Sequence, residues 1–286
     1  MQLLDGKALA KKIEENVTHE AKELKNRTGR VPGLAVLLVG HDPASQAYVG
    51  MKKKACDRAG FYSVTHEMPE DISQSAIIKT IEMMNLNPNI DGILIQLPLP
   101  KHIDTTRILE IVAPSKDVDG FHPYNVGRLA TGLDGFVPCT PLGVMKLLAE
   151  YGIDPKGKNA VIVGASNIVG KPMAALLLNA NATVTITHIH TRDLAAHTRE
   201  ADMILVGAGV INLIKEDMVK EGAIVIDIGI NRASDGRLVG DVDFDAVAPK
   251  TSYITPVPGG VGPMTIAMLL ANTLKAAQNH ANEERQ

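Results

Sequence analysis

Cysteine is scarce in this 286-residue chain: Cys56 and Cys139 are the only two, with neither CxxC spacing nor an evident disulfide role. Nine scattered histidines supply no HExxH-like pair, so the expectation is no disulfide and no structural metal. Long apolar runs are missing too, since none approaches the roughly 18 residues of a membrane span. The opening MQLLDGKALAKKIEENV mixes charged with apolar residues, unlike a secretory or transit segment. A soluble, cytoplasmic protein is expected. Neither sign of charge dominates: 29 basic residues face 32 acidic ones, for a net charge of −3. That argues against bulk attraction to nucleic acid or to anionic membranes and leaves a small molecule as the expected partner. Internal repeats and low-complexity segments are absent.

What is present is an alternation. GLAVLLVG at 33–40, a helix-like AYVGMKKKACDRAG from 47, a helix-like SQSAIIKTIEMMN from 73 and DGILIQLPL from 91 give a βαβ rhythm. The rhythm resumes with NAVIVG at 159–164, a helix near 169–180, ATVTIT at 182–187, ADMILVG at 201–207 and GAIVIDIG at 222–229. Apolar strands alternating with helices predict a mostly parallel sheet covered on both faces. A length prior of roughly 100 to 200 residues per domain predicts two such units. The fold class expected is therefore α/β with two domains and a cleft between them. Residues 1–140 form the first, completed by a C-terminal helix over 264–286, and residues 141–263 form a Rossmann-like second. Between the two rhythms lies the loop-rich SKDVDGFHPYNVGRLATGLDGFVPCTP, after which a helix is expected from Pro141. The closing TIAMLLANTLKAAQ carries an apolar stripe that needs a partner surface, assigned to the first domain, and the polar NHANEERQ reads as a frayed end.

Thr255-Pro256-Val257-Pro258-Gly259-Gly260-Val261-Gly262-Pro263-Met264-Thr265 holds three prolines and three glycines in eleven residues. Proline sets φ and removes donors, while glycine admits close approach of a backbone or a planar ligand. The stretch reads as a rigid ligand-facing loop, with a plain interdomain turn as the alternative. NAVIVG followed by ASNIVGKP puts a strand before a glycine-containing turn and a helix start, where backbone N–H groups and the helix dipole receive a phosphate. The spacing is not GxGxxG, because Gly164 and Gly170 are six apart with Ser166 between them. An ordinary βα turn is the alternative. After the next strand come His188, Ile189, His190, Thr191 and Arg192, with no Asp or Glu to hold a ribose hydroxyl pair. Cations there suit a 2′-phosphate and so NADP.

Tyr48 and Lys52 stand four apart, which on a helix puts an aromatic and an amine on one face. Lys53 and Lys54 follow, and a solvated lysine run is the plain alternative. Gln96 ends DGILIQ at the edge where α/β ligands sit, or else caps a loop. Asp119, in SKDVDGFH, suits the edge of an amino-pyrimidine, or a simple Asp-Gly turn. Cys139 reads as a small buried thiol near the expected cleft, and Ser45 as a cap for the Tyr48 helix.

Taken together and in order, YVGMK, DGILIQLPLP, SKDVDGFH, GFVPCTP, VIVGASNIVGKP, GAIVIDIGINR and TPVPGGVGPMT resemble the bifunctional methylenetetrahydrofolate dehydrogenase/cyclohydrolase, or FolD, family. The resemblance implies oxidation of 5,10-methylenetetrahydrofolate to the methenyl form with NADP, then hydrolysis to 10-formyltetrahydrofolate. It also implies tetrahydrofolate one-carbon derivatives as partners, no nucleic acid or membrane, and a homodimer formed through the nucleotide domains. By the family pattern Lys52 transfers the proton, Tyr48 stacks on the pterin, Gln96 positions Lys52 and Asp119 anchors the amino-pyrimidine edge. Leu97, Pro98, Gly259, Gly260 and Pro263 complete the substrate site. Gly164, Ala165, Ser166, Ile168, Val169, His188, His190, Arg192, Ile230 and Thr265 meet the cofactor. Burial beside an aromatic and a neutral amide favours a neutral amine at Lys52, an effect that a nearby carboxylate opposes. One departure bears on the cofactor. The family's loop usually reads GRS where this chain has Gly164-Ala165-Ser166, and Ile189 occupies a second basic or hydroxyl position. His190 or Arg192 then stand in as phosphate partners, with NADP expected and NAD open. The readings that compete are a cyclohydrolase-dominant homologue with weak or NAD-linked dehydrogenase activity, a non-catalytic folate- or nucleotide-binding module, and another two-domain dehydrogenase.

Overall fold

A computed structural model describes residues 1–283. The chain divides into two compact units. The first comprises Lys11–Arg128, Asp134–Cys139 and the segment from Ile266 on; the second comprises Met1–Ala10, Leu129–Leu133 and Thr140–Thr265.

In chain order the elements begin with β1 (Gln2–Leu3), α1 (Gly6–Thr28), β2 (Gly33–Val39), α2 (Pro43–Ala59), β3 (Tyr62–Met68), α3 (Gln74–Leu86), β4 (Gly92–Ile95) and α4 (Thr105–Ile111). Next come α5 (Pro123–Ala130), α6 (Cys139–Glu150), β5 (Asn159–Val163), α7 (Gly170–Asn179), β6 (Thr183–Thr187), α8 (Leu194–Thr198), β7 (Met203–Val206) and β8 (Ile224–Asp227). The short pair β9 (Asn231–Arg232) and β10 (Leu238–Val239), α9 (Phe244–Val247), β11 (Tyr253–Ile254) and α10 (Val261–Glu283) complete the described chain.

The first unit is built on a parallel sheet of order β3-β2-β4. Every residue of β2 is buried, as an unbroken apolar run requires of a central strand covered on both faces. Ala35, Leu37 and Val39 pack on one face with Ile77, Ile81 and Met84 of α3, Ile93 and Ile95 of β4, and Ile108 of α4. The strand β3 is an addition to the sequence reading. Its side chains are half-buried or exposed at the sheet edge, so its apolar signal is weak.

The second unit carries a six-stranded sheet of order β1-β11-β8-β7-β5-β6, and every pairing in it is parallel. From β5 the chain moves out to β6 and then back past β5 to β7, so strand order reverses between β5 and β7. Such reversal points open the crevice that binds nucleotides in α/β sheets. The first residues of the chain join this sheet, because Gln2 and Leu3 register with Tyr253 and Ile254.

Several local expectations are corrected. Ser45 is no cap: Asp42 is, with Pro43 following it, and its carboxylate accepts the Ser45 N–H at 2.8 Å. The helix expected at Pro141 starts at Cys139, and the loop-rich passage contains α5. The Pro-Gly stretch is irregular only to Gly260, since α10 starts at Val261 with Pro263 in its first turn. The polar tail is helical to Glu283, held by Ala281, which is buried, and by His280, whose Nδ1 lies 3.0 Å from Asp91 Oδ1. Its last three residues lie outside the described residues.

Candidate active site

Lys52 occupies the middle of α2. It and Tyr48 are half-buried, whereas Met51, Lys53 and Lys54 are exposed, so helical periodicity singles out one lysine of the run. Burial pushes the Tyr48 phenol above its usual range. Gln96 is the first residue beyond β4, and its backbone N–H extends the ladder to Leu37 O at 2.9 Å. Its side-chain Nε2 donates to Leu97 O at 2.8 Å, and Oε1 accepts from Lys52 Nζ at 3.0 Å. With the nitrogen end occupied, the amide oxygen is turned to the lysine. Leu97 is half-buried and Pro98, joined to it by a cis peptide, is exposed.

The two aspartates of KDVDG do different work. Asp117 is buried and accepts from Phe121 N (3.1 Å), His122 N (2.9 Å) and Asn125 Nδ2 (2.8 Å), pinning the turn into α5. Burial pushes its carboxyl up to about 6 against those hydrogen bonds. Asp119, two residues on, is half-buried and presented by that turn. Burial raises its carboxyl, while the charge of Lys52 and a hydrogen bond from the Cys139 thiol pull it back. The charge of Lys52 therefore reaches Asp119, across a gap in sequence that spacing did not bridge. Sequence reasoning passed over Asp117 and Asn272, whose buried amide donates to Val118 O at 2.8 Å. The one signal for Asn272 is a polar side chain in the apolar stripe IAMLLANTL.

In the second unit, Gly164 ends β5 with φ +119°, and a Cβ there would strike Gly207 O, at the end of β7. Only glycine fits, and its lack of a side chain lets the two carboxyl ends approach closely at the reversal point. Ser166 Oγ accepts from Val169 N (3.2 Å) and Gly170 N (3.4 Å), bracing the turn into α7. Ala165 and Val169 are half-buried, and Ile168 is exposed. Two further carboxylates shape the neighbouring loops. Asp241 accepts from Ala208 N (2.6 Å), Gly209 N (2.9 Å) and Asn231 Nδ2 (2.8 Å). Asp227 accepts from Gly229 N (3.0 Å), Asp241 N (3.0 Å) and Val242 N (2.9 Å), and burial pushes it up to about 6.

Beyond β6, His188, Ile189, His190 and Arg192 are all exposed. His188 Nδ1 accepts the His190 N–H at 3.2 Å and Thr191 Oγ1 accepts the His188 N–H at 2.9 Å, so the loop's bonds are its own. Asp193 is the first carboxylate after the strand, and its Oδ1 accepts from Ala196 N at 3.0 Å as the cap of α8. Cations and no free carboxylate at this place fit the 2′-phosphate of NADP. Ile230 is exposed, and Thr265 Oγ1 lies 2.9 Å from Thr140 Oγ1. Gly259 and Pro263 are half-buried. Gly260 is buried, and a Cβ on it would lie 2.6 Å from Pro256 O, so glycine at this position is required by packing within the loop. Cys56 and Cys139 are free and buried. No described helix is long and apolar enough to cross a membrane.

A parallel sheet with its glycine turn at a strand-order reversal, together with a half-buried amine held by a neutral amide, defines a two-unit nucleotide-dependent enzyme able to move protons. Comparison with known proteins narrows the class. Residues 4–119 match the catalytic domain, and residues 138–281 the NAD(P)-binding domain, of tetrahydrofolate dehydrogenase/cyclohydrolase. The bifunctional protein FolD of Sulfurimonas denitrificans is 80% identical over 283 residues, 99% of each chain. The crystal structure of the bifunctional FolD enzyme of Campylobacter jejuni is similar with a TM-score of 0.96 at 58% identity, covering 98% of this chain and 99% of that one. The Trypanosoma brucei FolD, solved with NADP cofactor and inhibitor, gives 0.92 at 40% identity over 96% of each chain. The chain belongs to the tetrahydrofolate dehydrogenase/cyclohydrolase family.

Proposed function

We propose that the two activities of this NADP-dependent methylenetetrahydrofolate dehydrogenase and methenyltetrahydrofolate cyclohydrolase converge on Lys52, Gln96, Tyr48 and Asp119. Its substrates are one-carbon derivatives of tetrahydrofolate. The methylene compound is oxidised to the methenyl cation, and water then opens that ring to 10-formyltetrahydrofolate. The observation that carries the residue assignment is the 3.0 Å bond from Lys52 Nζ to an amide oxygen whose other end is tied to Leu97 O. A neutral acceptor fixes the amine without adding charge. Lys52 takes the proton from attacking water and returns it to the departing ring nitrogen. Tyr48 offers an aromatic face to the pterin, Asp119 accepts from its amino-pyrimidine edge, and Leu97 and Pro98 shape the remainder.

Bound NADP would supply the hydride acceptor for oxidation of the one-carbon unit. Gly164, Ala165, Ser166, Ile168 and Val169 would border its pyrophosphate at the turn into α7. His188, His190 and Arg192 receive the 2′-phosphate, with Ile230 and Thr265 as further contacts. In this reading residues 11–140 and the C-terminal helix from 264 carry the folate chemistry. Residues 141–263 carry the cofactor, and the first ten residues serve that second unit. The protein works in the cytoplasm as a homodimer formed through the nucleotide unit, whose edge strand β6 leaves Ile186 exposed.

The test is absorbance-monitored turnover of 5,10-methylenetetrahydrofolate with NADP, with NAD and, for the methenyl substrate, with neither. Wild-type protein should reduce NADP and hydrolyse the methenyl compound; Lys52→Met should lose hydrolysis while folding normally. Undiminished hydrolysis in that variant defeats the assignment. Size-exclusion chromatography with light scattering tests the dimer.

A further inference from the structure

Within the second unit, two buried carboxylates tie together the loops that follow β7 and β8. Asp227, the last residue of β8, accepts from Gly229 N and Asp241 N, each at 3.0 Å, and from Val242 N at 2.9 Å. A Cβ on Gly240 would strike the Asp227 carboxylate, so the chain before Asp241 lies directly against it. Asp241, fully buried, then reaches the other way. Its Oδ2 accepts from Ala208 N (2.6 Å) and Gly209 N (2.9 Å) in the loop after β7, and its Oδ1 accepts from Asn231 Nδ2 (2.8 Å) beyond β8. A Cβ on Gly229 would strike the Asp241 carboxylate as well. One side chain thus joins the two loops, and both carry exposed apolar residues: Val210 and Ile211 after β7, Ile230 after β8. On the sheet, β7 lies on the opposite side of β5 from β6. A dinucleotide lies across such a reversal point with one nucleotide on each half of the sheet. With the 2′-phosphate after β6, the adenosine half takes the β6 side and the nicotinamide half is left to the β7 side, where apolar side chains suit a flat ring.

We propose that Asp241, together with Asn231, is a positioning residue for the nicotinamide half of the cofactor, clamping the loop after β7 to the loop after β8. This rests on the reading that puts the 2′-phosphate at the loop after β6. A carboxylate suits the task because its two oxygens accept from all three donors at once. An alanine would release the loop after β7 from its anchor, whereas an asparagine keeps one oxygen for the N–H groups of Ala208 and Gly209.

The experiment measures Kd by calorimetry for NADP, for NAD and for adenosine 2′,5′-bisphosphate, which lacks the nicotinamide half, beside methenyl hydrolysis without cofactor. The variants are Asp241→Ala, Asp241→Asn, Asn231→Ala, the double Asp241→Ala/Asn231→Ala and the double His190→Ala/Arg192→Ala, each checked by circular dichroism. Asp241→Ala should weaken NADP and NAD alike by about tenfold, the scale of its two loop hydrogen bonds. The bisphosphate Kd and methenyl hydrolysis should stay within error of wild type. Asp241→Asn should bind both dinucleotides within about threefold of wild type. Asn231→Ala loses one bond and should weaken both about threefold, adding nothing in the Asp241→Ala background. His190→Ala/Arg192→Ala should do the reverse, weakening NADP and the bisphosphate and sparing NAD. In Asp241→Ala, wild-type dinucleotide binding, unequal losses of NADP and NAD, a bisphosphate Kd that rises in step or a fall in hydrolysis overturns the inference while the phosphate reading stands. So does an asparagine variant as weak as alanine, or a full additive effect in the double variant. An unmoved bisphosphate Kd in His190→Ala/Arg192→Ala overturns the phosphate reading and the inference with it. If Asp241→Ala fails to fold, Asn231→Ala decides: equal losses of the two dinucleotides with an unmoved bisphosphate Kd support the clamp, and any other pattern overturns it.

Discussion

The loop after β4 and the loop after β6 each follow an edge strand paired with the first strand of its βαβ run, β4 being the third strand of its run and β6 the second. They are built in opposite ways. After β4, both ends of the Gln96 amide are bonded and the lysine it meets is half-buried. After β6, Ile189 is 93% exposed, its histidine and arginine neighbours are exposed as well, and the loop's hydrogen bonds stay within it. Proton transfer needs fixed geometry and a partly dehydrated amine. Holding a 2′-phosphate needs cations that can reach it, and several surface arrangements satisfy that need. In the proposed reading His188, His190 and Arg192 take the phosphate contact of the loop arginine whose place Ala165 occupies.

Lys52→Met should break the first loop's function most completely, with methenyl hydrolysis falling at least about 100-fold, the scale of lost acid–base catalysis. Rates from absorbance assays, beside an unchanged circular dichroism spectrum, check it. At the second loop the expected loss is smaller. Arg192→Ala combined with His190→Ala should raise the NADP KM about tenfold and leave the NAD KM alone. Equal changes for both cofactors would remove the loop's claim to the phosphate.

Stability should respond to buried carboxylates. Burial pushes the Asp227 carboxyl up from its usual 3.8 to about 6. A raised folded-state value contributes stability that is fully present below about 3.8 and lost as pH rises through about 6. In Asp227→Asn, urea unfolding at pH 4.5 and at pH 7 should therefore show a shallower fall in stability than wild type, by at most about 1.4 kcal/mol per pH unit across that window. The smallest effect sharpens the comparison most: Lys53→Met, one residue from Lys52 but exposed, should leave both rates within error.

Much of this was readable along the chain. The strands β2, β4, β5, β7 and β8 announce themselves as apolar runs because parallel strands covered on both faces carry no polar alternation, and β6, TVTIT at the sheet edge, is legible from its unbroken β-branched residues. The four-residue spacing of Tyr48 and Lys52 holds their shared half-burial, since both lie on one face of α2. Other elements were silent. The edge strand β3 is only partly buried, and β1 is two residues long, its pairing set by β11 some 250 positions away. The tail looked frayed because polar composition hides the anchoring of His280 on Asp91.

By itself the sequence determined the parallel α/β architecture, the glycine turn before α7, the one lysine of three that faces inward and the cations that follow β6. Each of these depends on local periodicity or on a residue's own backbone freedom, which travel with the chain. Tertiary structure alone decided that Gln96 meets Lys52 across 44 residues, that the charge of that lysine reaches Asp119 while Asp117 holds the turn, and that Asn272 reaches Val118 across 154. Those are hydrogen bonds and charge contacts whose partners are chosen by packing, and burial is what makes an unmet polar group costly enough to fix them.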